Sequence, residues 1–235
     1  MSPKVTTIGF DADDTLWHNE RFFHLTQERF ATILAPHCDT PDLMGVLLQA
    51  EKRNIGKYGF GIKGFVLSMI ETALEVSEQQ VPGHVIAELI DAGKEMLDHP
   101  VELLPFATEA IKAARSHARV LLITKGDLLH QEQKLAQSGL GDLFDGVEIV
   151  STKEPQVYKR IFERHGTGAS EGMMIGNSMK SDVNPMIDVG GWGIYVPHGL
   201  SWEIEHADPK VGHPRYREIE NLGHLDALLK EILEG

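Results

Sequence analysis

Two kinds of apolar pattern divide this chain. Short runs of β-prone apolar residues occur near the start and again from residue 120 onward. They are Val5–Phe10, Val120–Ile123, Val147–Val150, Met173–Ile175 and Gly193–Val196. From about residue 20 to residue 100 the apolar residues recur every three or four positions, which is the spacing of an amphipathic helix. The pattern therefore predicts a helical segment inserted after the first strand of an α/β fold.

The inserted segment is predicted to contain a bundle of four helices. The first covers Glu20–Leu34, and the second starts with Thr40 as its cap and Pro41 at its first helical position. The third begins at about Ile62, and the fourth follows Pro82–Gly83. Proline at a helix start and short connections between amphipathic stretches are typical of small antiparallel bundles.

From residue 100 onward, strands alternate with further amphipathic stretches. Helices are expected after Pro105, from Leu128 to near Gly139, after Pro155, and around Leu225–Ile232. Repeated βαβ order favours a parallel sheet with right-handed crossovers and helices on both faces. The polar, proline-containing segment His198–Arg217 is predicted to have no regular structure.

These patterns together predict an α/β fold with a Rossmann-like parallel sheet core, helices on both of its faces, and an inserted α-helical bundle. We place the core at residues 1–16 and 100–235 and the bundle at residues 17–99. A chain of 235 residues is long enough for a core domain with an insertion.

Two carboxylates follow the first predicted strand directly. Asp11 and Asp13 stand in the run Phe10-Asp11-Ala12-Asp13-Asp14-Thr15. In open α/β sheets, ligands bind beyond the carboxyl ends of the strands. A carboxylate there can act as a nucleophile, a second can transfer protons, and a pair can hold Mg²⁺. Taken alone, the run is also compatible with an acidic loop that caps the next helix.

Three further strand ends carry polar residues. Thr124 closes the second strand and is followed by Lys125 and Gly126, where a hydroxyl and backbone N–H groups can bind an anion. Lys153 follows the third strand and can neutralise a bound anion. After the fourth strand come Asn177 and Asp182, whose oxygens suit Mg²⁺.

In this order, the four motifs resemble those of the haloacid dehalogenase-like hydrolase superfamily over nearly the whole chain. The resemblance implies that Asp11 is the nucleophile and that Asp13 is the general acid and base. It further implies that Thr124 binds phosphate and that Lys153 stabilises charge. The predicted helical bundle is similar to the cap that one branch of the superfamily inserts between its first and second motifs.

The resemblance also implies a magnesium site and a type of reaction. Its ligands would be Asp11, the backbone carbonyl of Asp13, and Asp182, with Asn177 beside them. Superfamily members commonly carry Asp at the position of Asn177, so we expect weaker Mg²⁺ binding here. Because dehalogenases of the superfamily lack the second aspartate, Asp13 favours phosphoryl chemistry over dehalogenation.

We therefore expect a Mg²⁺-dependent phosphatase that forms an aspartyl-phosphate and acts on a small phosphorylated metabolite. One alternative is a phosphotransferase or mutase acting on a phosphosugar. Another is a non-catalytic binding module with a degraded metal site, of which Asn177 would be the trace. We predict substrate contacts from Thr124 and Lys125 in the core and from Lys57 and Lys63 in the bundle, although the last two also suit a solvated helix connection.

Charge and composition exclude several other classes of protein. The net charge of −13 argues against general affinity for nucleic acid. No apolar run is long enough for a membrane helix, and the N-terminal residues lack a signal-peptide pattern, so we expect a cytoplasmic protein without membrane partners. The single cysteine, Cys38, excludes an intramolecular disulfide. We expect a monomer or a homodimer.

Overall fold

A computed structural model describes residues 4–234, and the two ends of the predicted core, residues 1–3 and residue 235, lie outside the described residues. The chain forms two compact units. An α/β unit comprises the described residues up to Glu20, Val101–Lys125, and those from Gln131 onward. A helical unit comprises Arg21–Pro100 together with the short segment Gly126–His130. Within residues 4–234, no helix is both long and apolar enough to cross a bilayer.

The α/β unit is built on a parallel sheet. Its strands are β1 (Thr7–Phe10), β2 (Arg119–Lys125), β3 (Gly146–Val150), β4 (Gly172–Gly176), β5 (Trp192–Tyr195) and β6 (Tyr216–Glu218). They lie in the order β3-β2-β1-β4-β5-β6, and all neighbouring pairs are parallel. The predicted Rossmann-like core is confirmed. Strand order reverses between β1 and β4, which is the position where such sheets form their ligand sites.

Apolar layers cover both faces of this sheet. The helices of the unit are α5 (Ala107–Arg115), α7 (Pro155–His165), α8 (Asn184–Asp188) and α9 (Leu225–Glu234), together with the part of α6 (Leu128–Ser138) from Gln131 onward. Ile8 and Phe10 of β1 belong to one buried cluster, which includes residues of α5 and α9. Leu121 and Ile123 of β2 belong to a second cluster with Tyr158 and Phe162 of α7. Side chains alternate between the faces of a strand, which is why β2 supplies Val120 and Leu122 to the first cluster and Leu121 and Ile123 to the second.

The helical unit has its own core. Its helices are α1 (Glu20–Leu34), α2 (Leu43–Tyr58), α3 (Ile62–Val76) and α4 (Gly83–Asp98). Phe30, Phe65, Met69 and Leu89 are buried among its apolar side chains. The action of this unit as a cap stays a prediction.

Two sequence predictions are wrong in detail. Helix α2 does not start with Thr40 as its cap and Pro41 at its first position, since Asp42 is the cap residue and accepts a hydrogen bond from the Gly45 N–H. The segment His198–Arg217 was predicted to lack regular structure, yet β6 begins at Tyr216 and pairs with β5. A strand of three residues at a sheet edge has no apolar run by which to recognise it.

Candidate active site

The carboxyl ends of β1, β2 and β4 form one edge of the sheet. Asp11 directly follows β1, and its N–H donates to the carbonyl of Ile175 in β4 at 2.9 Å. Thr124 lies near the end of β2, and Asn177 directly follows β4. The parallel register of the three strands therefore brings residues that are far apart in the chain to one place.

A buried cluster of two carboxylates and one ammonium occupies this edge. The Nζ atom of Lys153 contacts Asp11 Oδ1 and donates to Asp182 Oδ1 at 2.7 Å. All three residues are buried. The Thr15 hydroxyl donates to Asp11 Oδ2 at 2.9 Å, which fixes the second oxygen of that carboxylate. With all groups ionised, the cluster carries one more negative than positive charge.

This imbalance changes the proton affinity of its members. Burial and the nearby Asp182 charge raise the pKa of Asp11 to about 7, although Lys153 opposes them. Burial alone would lower the pKa of Lys153, but Asp11 and Asp182 outweigh it and raise that pKa, so Lys153 stays charged. The cluster therefore has capacity for additional positive charge.

Acceptor oxygens converge beside Asp11. In one orientation of the Asn177 amide, its oxygen lies 3.2 Å from Asp11 Oδ2 and 3.1 Å from the Asp13 carbonyl oxygen. In the other orientation, the amide nitrogen donates to both atoms. The amide nitrogen therefore satisfies both oxygens in the absence of a cation, and a bound cation would take its place with the amide oxygen turned inward. Oxygen ligands of this kind suit Mg²⁺. The donor set thus fits the metal that the sequence predicts.

Three side chains hold the carboxylate of Asp13. Trp17 Nε1 and Lys134 Nζ bind Oδ1 at 2.7 and 2.5 Å, and Gln131 Nε2 binds Oδ2 at 2.8 Å. Burial alone would raise the pKa of Asp13, but Lys134 and these hydrogen bonds outweigh it and lower the pKa. Asp13 is therefore held as an ionised carboxylate.

Thr124 has the free hydrogen-bonding capacity expected of a ligand-binding hydroxyl. Its Oγ1 atom is buried and has no hydrogen-bond partner among the described residues. A buried hydroxyl without a partner has a free-energy cost, which an acceptor oxygen of a bound ligand would remove.

Lys125, the neighbour of Thr124, is committed to a different contact. Its ammonium binds Glu205 Oε1 at 2.5 Å and the Ser181 hydroxyl at 2.8 Å. Glu205 also accepts hydrogen bonds from Ser178 at 2.7 Å and from Ser181 at 2.5 Å. The predicted contact between Lys125 and substrate stays a prediction.

Lys57 and Lys63 both belong to the helical unit. Lys57 lies exposed in the last turn of α2. Lys63 donates to Asp127 at 2.9 Å within the same unit, and this bond lowers the pKa of Asp127. Their predicted contacts with substrate stay predictions.

Several site residues were not predicted from the sequence. Gln131 and Lys134 are three positions apart on α6, so they share a helix face. Two polar residues at this spacing, directly after the second motif, were the signal in the sequence that could have indicated a polar helix face at the site. Glu205 had no such signal, because it comes from a polar segment and reaches the site only through the fold.

Comparison with known proteins identifies the family. The sequence model of haloacid dehalogenase-like hydrolases matches residues 5–190. A haloacid dehalogenase-like family hydrolase from Xanthomonas campestris is 40% identical with a TM-score of 0.88, over 98% of this chain and 92% of that one. A search of curated proteins found no match.

More distant structures share the fold. A HAD-hydrolase from Bacillus subtilis, bound to magnesium, is 18% identical with a TM-score of 0.66 over 96% of this chain and 99% of that one. The 2-haloacid dehalogenase from Pseudomonas syringae is 20% identical with a TM-score of 0.64 over 97% and 99%. The extent of the family match and the identity to the Xanthomonas hydrolase lead to one conclusion: this chain belongs to the haloacid dehalogenase-like hydrolases.

Proposed function

We propose that this hydrolase is a Mg²⁺-dependent phosphatase of a small phosphorylated metabolite. The observation that carries the proposal is the convergence of Asp11 Oδ2 and the Asp13 carbonyl oxygen on the Asn177 amide, beside the negatively charged cluster. A phosphate dianion cannot approach Asp11 while that cluster is negative, and one divalent cation reverses its sign. We call the group of Asp11, Asp13 and Asn177 that would hold the cation the cradle. Displacement of halide from a carbon atom brings no dianion and does not require a cation, so the cradle favours phosphate over haloacid as the substrate.

The residues that would hold Mg²⁺ are Asp11, the carbonyl of Asp13, Asn177 and Asp182. When bound, the ion would supply positive charge that stabilises the oxygens of the transferred phosphoryl group. Lys153 supplies further positive charge from the protein, and the Thr124 hydroxyl offers a donor to one phosphoryl oxygen.

In the first half of the proposed reaction, a carboxylate oxygen of Asp11 attacks phosphorus as the bond from phosphorus to the ester oxygen breaks. For this step Asp13 must first take up a proton, against the lowered pKa that Lys134 and its hydrogen bonds impose, and it gives that proton to the departing alkoxide. The products are the free alcohol, an aspartyl-phosphate on Asp11 and an ionised Asp13. The arrangement of Asp13 with Lys134, Gln131 and Trp17 suits this ionised form.

In the second half, Asp13 accepts a proton from water while the water oxygen attacks phosphorus. Inorganic phosphate leaves, Asp11 is regenerated, and Asp13 again holds a proton. Water is replaced by a sugar hydroxyl in the alternative phosphotransferase reaction, and the same residues would serve both. The helical unit would act as the cap that admits the substrate, with Lys57 and Lys63 available for a second anionic group.

The test is release of phosphate from an aryl phosphate and from a panel of phosphorylated metabolites, with Mg²⁺ present and with the metal chelated. We expect Mg²⁺-dependent release that Asp11→Asn abolishes while the fold is retained, because the amide keeps the shape of the side chain but is not a nucleophile. Asp39→Asn, at an exposed carboxylate, is the control and should keep full activity.

Other results would redirect the proposal. Halide release from 2-haloacids without Mg²⁺ would identify a dehalogenase, and isomerised phosphosugar without free phosphate would identify a mutase. Absence of turnover together with absence of Mg²⁺ binding would identify a binding module. Phosphate release that persists in Asp11→Asn would exclude the proposed nucleophile.

A further inference from the structure

A second cluster of metal-ligating side chains lies in the α/β unit. Asp14, His18 and His198 each offer one ligand atom, and these atoms all lie within 4.8 Å of one another. None of them supplies an oxygen to the cradle formed by Asp11, Asp13 and Asn177. From this geometry we infer a separate site for a transition-metal ion of the Zn²⁺ class.

The distances are close to those of a formed site. Ligand atoms at about 2.0–2.1 Å from a tetrahedral zinc ion are separated from one another by roughly 3.3–3.5 Å. Asp14 Oδ1 and His198 Nδ1 are 3.7 Å apart. The His18 and His198 rings contact each other edge to face with centroids 5.8 Å apart. All three separations are at most 4.8 Å, so none exceeds the tetrahedral value by more than about 1.5 Å, and side-chain movements of that size would complete the coordination.

The fold orients Asp14. Asp14 Oδ1 and Oδ2 each accept a backbone N–H at 2.9 Å, from Asn19 and Glu20 respectively. His198 Nδ1, the ring nitrogen next to Asp14, lies 3.0 Å from the Leu200 carbonyl oxygen, and a metal bound at Nδ1 would replace that contact. Hydrogen bonds that fix the orientation of a ligating carboxylate are the usual second shell of metal sites. Asp14 also has a φ of 61°, a backbone conformation that costs an L side chain more than glycine.

The ligand set selects the class of ion. Two imidazoles and one carboxylate suit Zn²⁺, Co²⁺, Ni²⁺ or Cu²⁺, whereas Mg²⁺ prefers oxygen ligands only. Three protein ligands leave a fourth position for water or another small ligand. The site is therefore expected to bind Zn²⁺ in the presence of excess Mg²⁺, and the two metals would occupy different residues.

The experiment is a Zn²⁺ titration of the full chain by calorimetry and equilibrium dialysis in excess Mg²⁺. We expect one tightly bound Zn²⁺ per chain, with affinity more than about 100-fold weaker in His198→Gln, since loss of a ligand should exceed the 10–100-fold typical of second-shell changes. His18→Gln is the second variant, in case His198→Gln does not fold. His224→Gln, at an exposed histidine, is the control.

Two further readouts separate this site from the magnesium cradle. Zn²⁺ affinity should be unchanged in Asp11→Asn, and Co²⁺ should give the visible absorption bands of a site with nitrogen ligands, which His18→Gln and His198→Gln remove. The inference is overturned if no Zn²⁺ binds in excess Mg²⁺. It is also overturned if binding is lost in Asp11→Asn but kept in both histidine variants.

Discussion

Asp11 is in an unfavourable position in the metal-free protein. It is buried beside Asp182, and the two share the single ammonium of Lys153. Burial and Asp182 raise the pKa of Asp11 to about 7, so the folded state disfavours its ionised form. The same feature that destabilises the metal-free fold would favour cation binding and leave a reactive carboxylate next to bound phosphate.

The raised pKa of Asp11 gives a pH dependence of stability. Its contribution to the free energy of unfolding is full below about pH 4, the unfolded pKa, and is lost as pH rises through about 7. Above that range, Asp11→Asn should stabilise the metal-free protein by about 1–3 kcal/mol, because the remaining Asp182 still pairs with Lys153. Urea unfolding of both proteins at pH 5 and pH 8 with chelator measures this. A variant less stable than wild type at pH 8 would contradict it.

Asn177 places a neutral amide in the cradle, where a carboxylate would add one negative charge. Asn177→Asp should tighten Mg²⁺ binding about tenfold, because a carboxylate binds a hard cation more strongly than an amide does. Calorimetric titration with Mg²⁺ measures the dissociation constant. Gln137→Glu adds the same charge at an exposed position of α6 and should leave the constant unchanged. An equal or weaker constant in Asn177→Asp would show that residue 177 does not bind the ion.

At the scale of elements, strand β4 and the turn after it place Asp182. After β4 the chain makes a π-helical turn, Met179–Val183, in which the Ser178 N–H donates to Asp182 Oδ2 at 2.9 Å. This turn folds the carboxylate back against the strand end. A Cβ atom on Gly176 would lie 2.2 Å from Asp182 Oδ2, so the approach requires glycine.

Gly176→Ala should therefore displace Asp182. We expect the free energy of unfolding to fall by about 1–3 kcal/mol from overpacking, and Mg²⁺ binding to weaken with it. Gly56→Ala, in α2, is the matched control because its Cβ atom would meet nothing within 4 Å. That variant should gain about 0.5–1 kcal/mol through helix propensity. Thermal unfolding and Mg²⁺ titration of both variants measure these changes in stability and in Mg²⁺ affinity. Unaltered Mg²⁺ affinity in Gly176→Ala would show that Asp182 is not a ligand.

At the scale of the whole molecule, the segment between β5 and β6 is attached to the strand ends through Glu205. Its carboxylate binds Lys125 at the end of β2 and two serines after β4. Burial alone would raise the pKa of Glu205, but Lys125 and the serine hydroxyls outweigh it and lower the pKa. One residue of an irregular segment thus connects the loops that carry two of the four motifs.

Glu205→Gln should lower the free energy of unfolding at neutral pH by about 1–3 kcal/mol, since it removes the negative charge that the Lys125 ammonium contacts. Because the folded pKa of Glu205 is below its unfolded value of about 4.3, the wild-type contribution is present above that pH and is lost as pH falls through the folded pKa. The difference between the two proteins should shrink in acid. Glu220→Gln, at an exposed carboxylate, is the control for urea unfolding at both pH values, and an equal loss there would contradict the attachment.

The site residues that could be predicted from the sequence are those at the ends of the strands. Asp11, Asp13, Thr124 and Lys153 follow apolar strands, and parallel strands bring their carboxyl ends to one edge. The donors to Asp13 were not predicted, because Trp17, Gln131 and Lys134 each have ordinary structural uses. Helical spacing puts Gln131 and Lys134 on one face, but it does not say what that face meets.

Hydrophobic periodicity alone was sufficient for the parallel core and the four helices of the inserted segment, and the polar residues that follow the predicted strands supplied the motifs. Those features depend on local patterns, because the period of apolar residues decides which face of a strand or helix is buried. The register of the sheet, the contacts of Glu205, and the meeting of Asp14 and His18 with His198 became visible only in the folded chain. Residues separated by well over a hundred positions meet through the packing of the whole unit, and no local pattern encodes which of them will be neighbours.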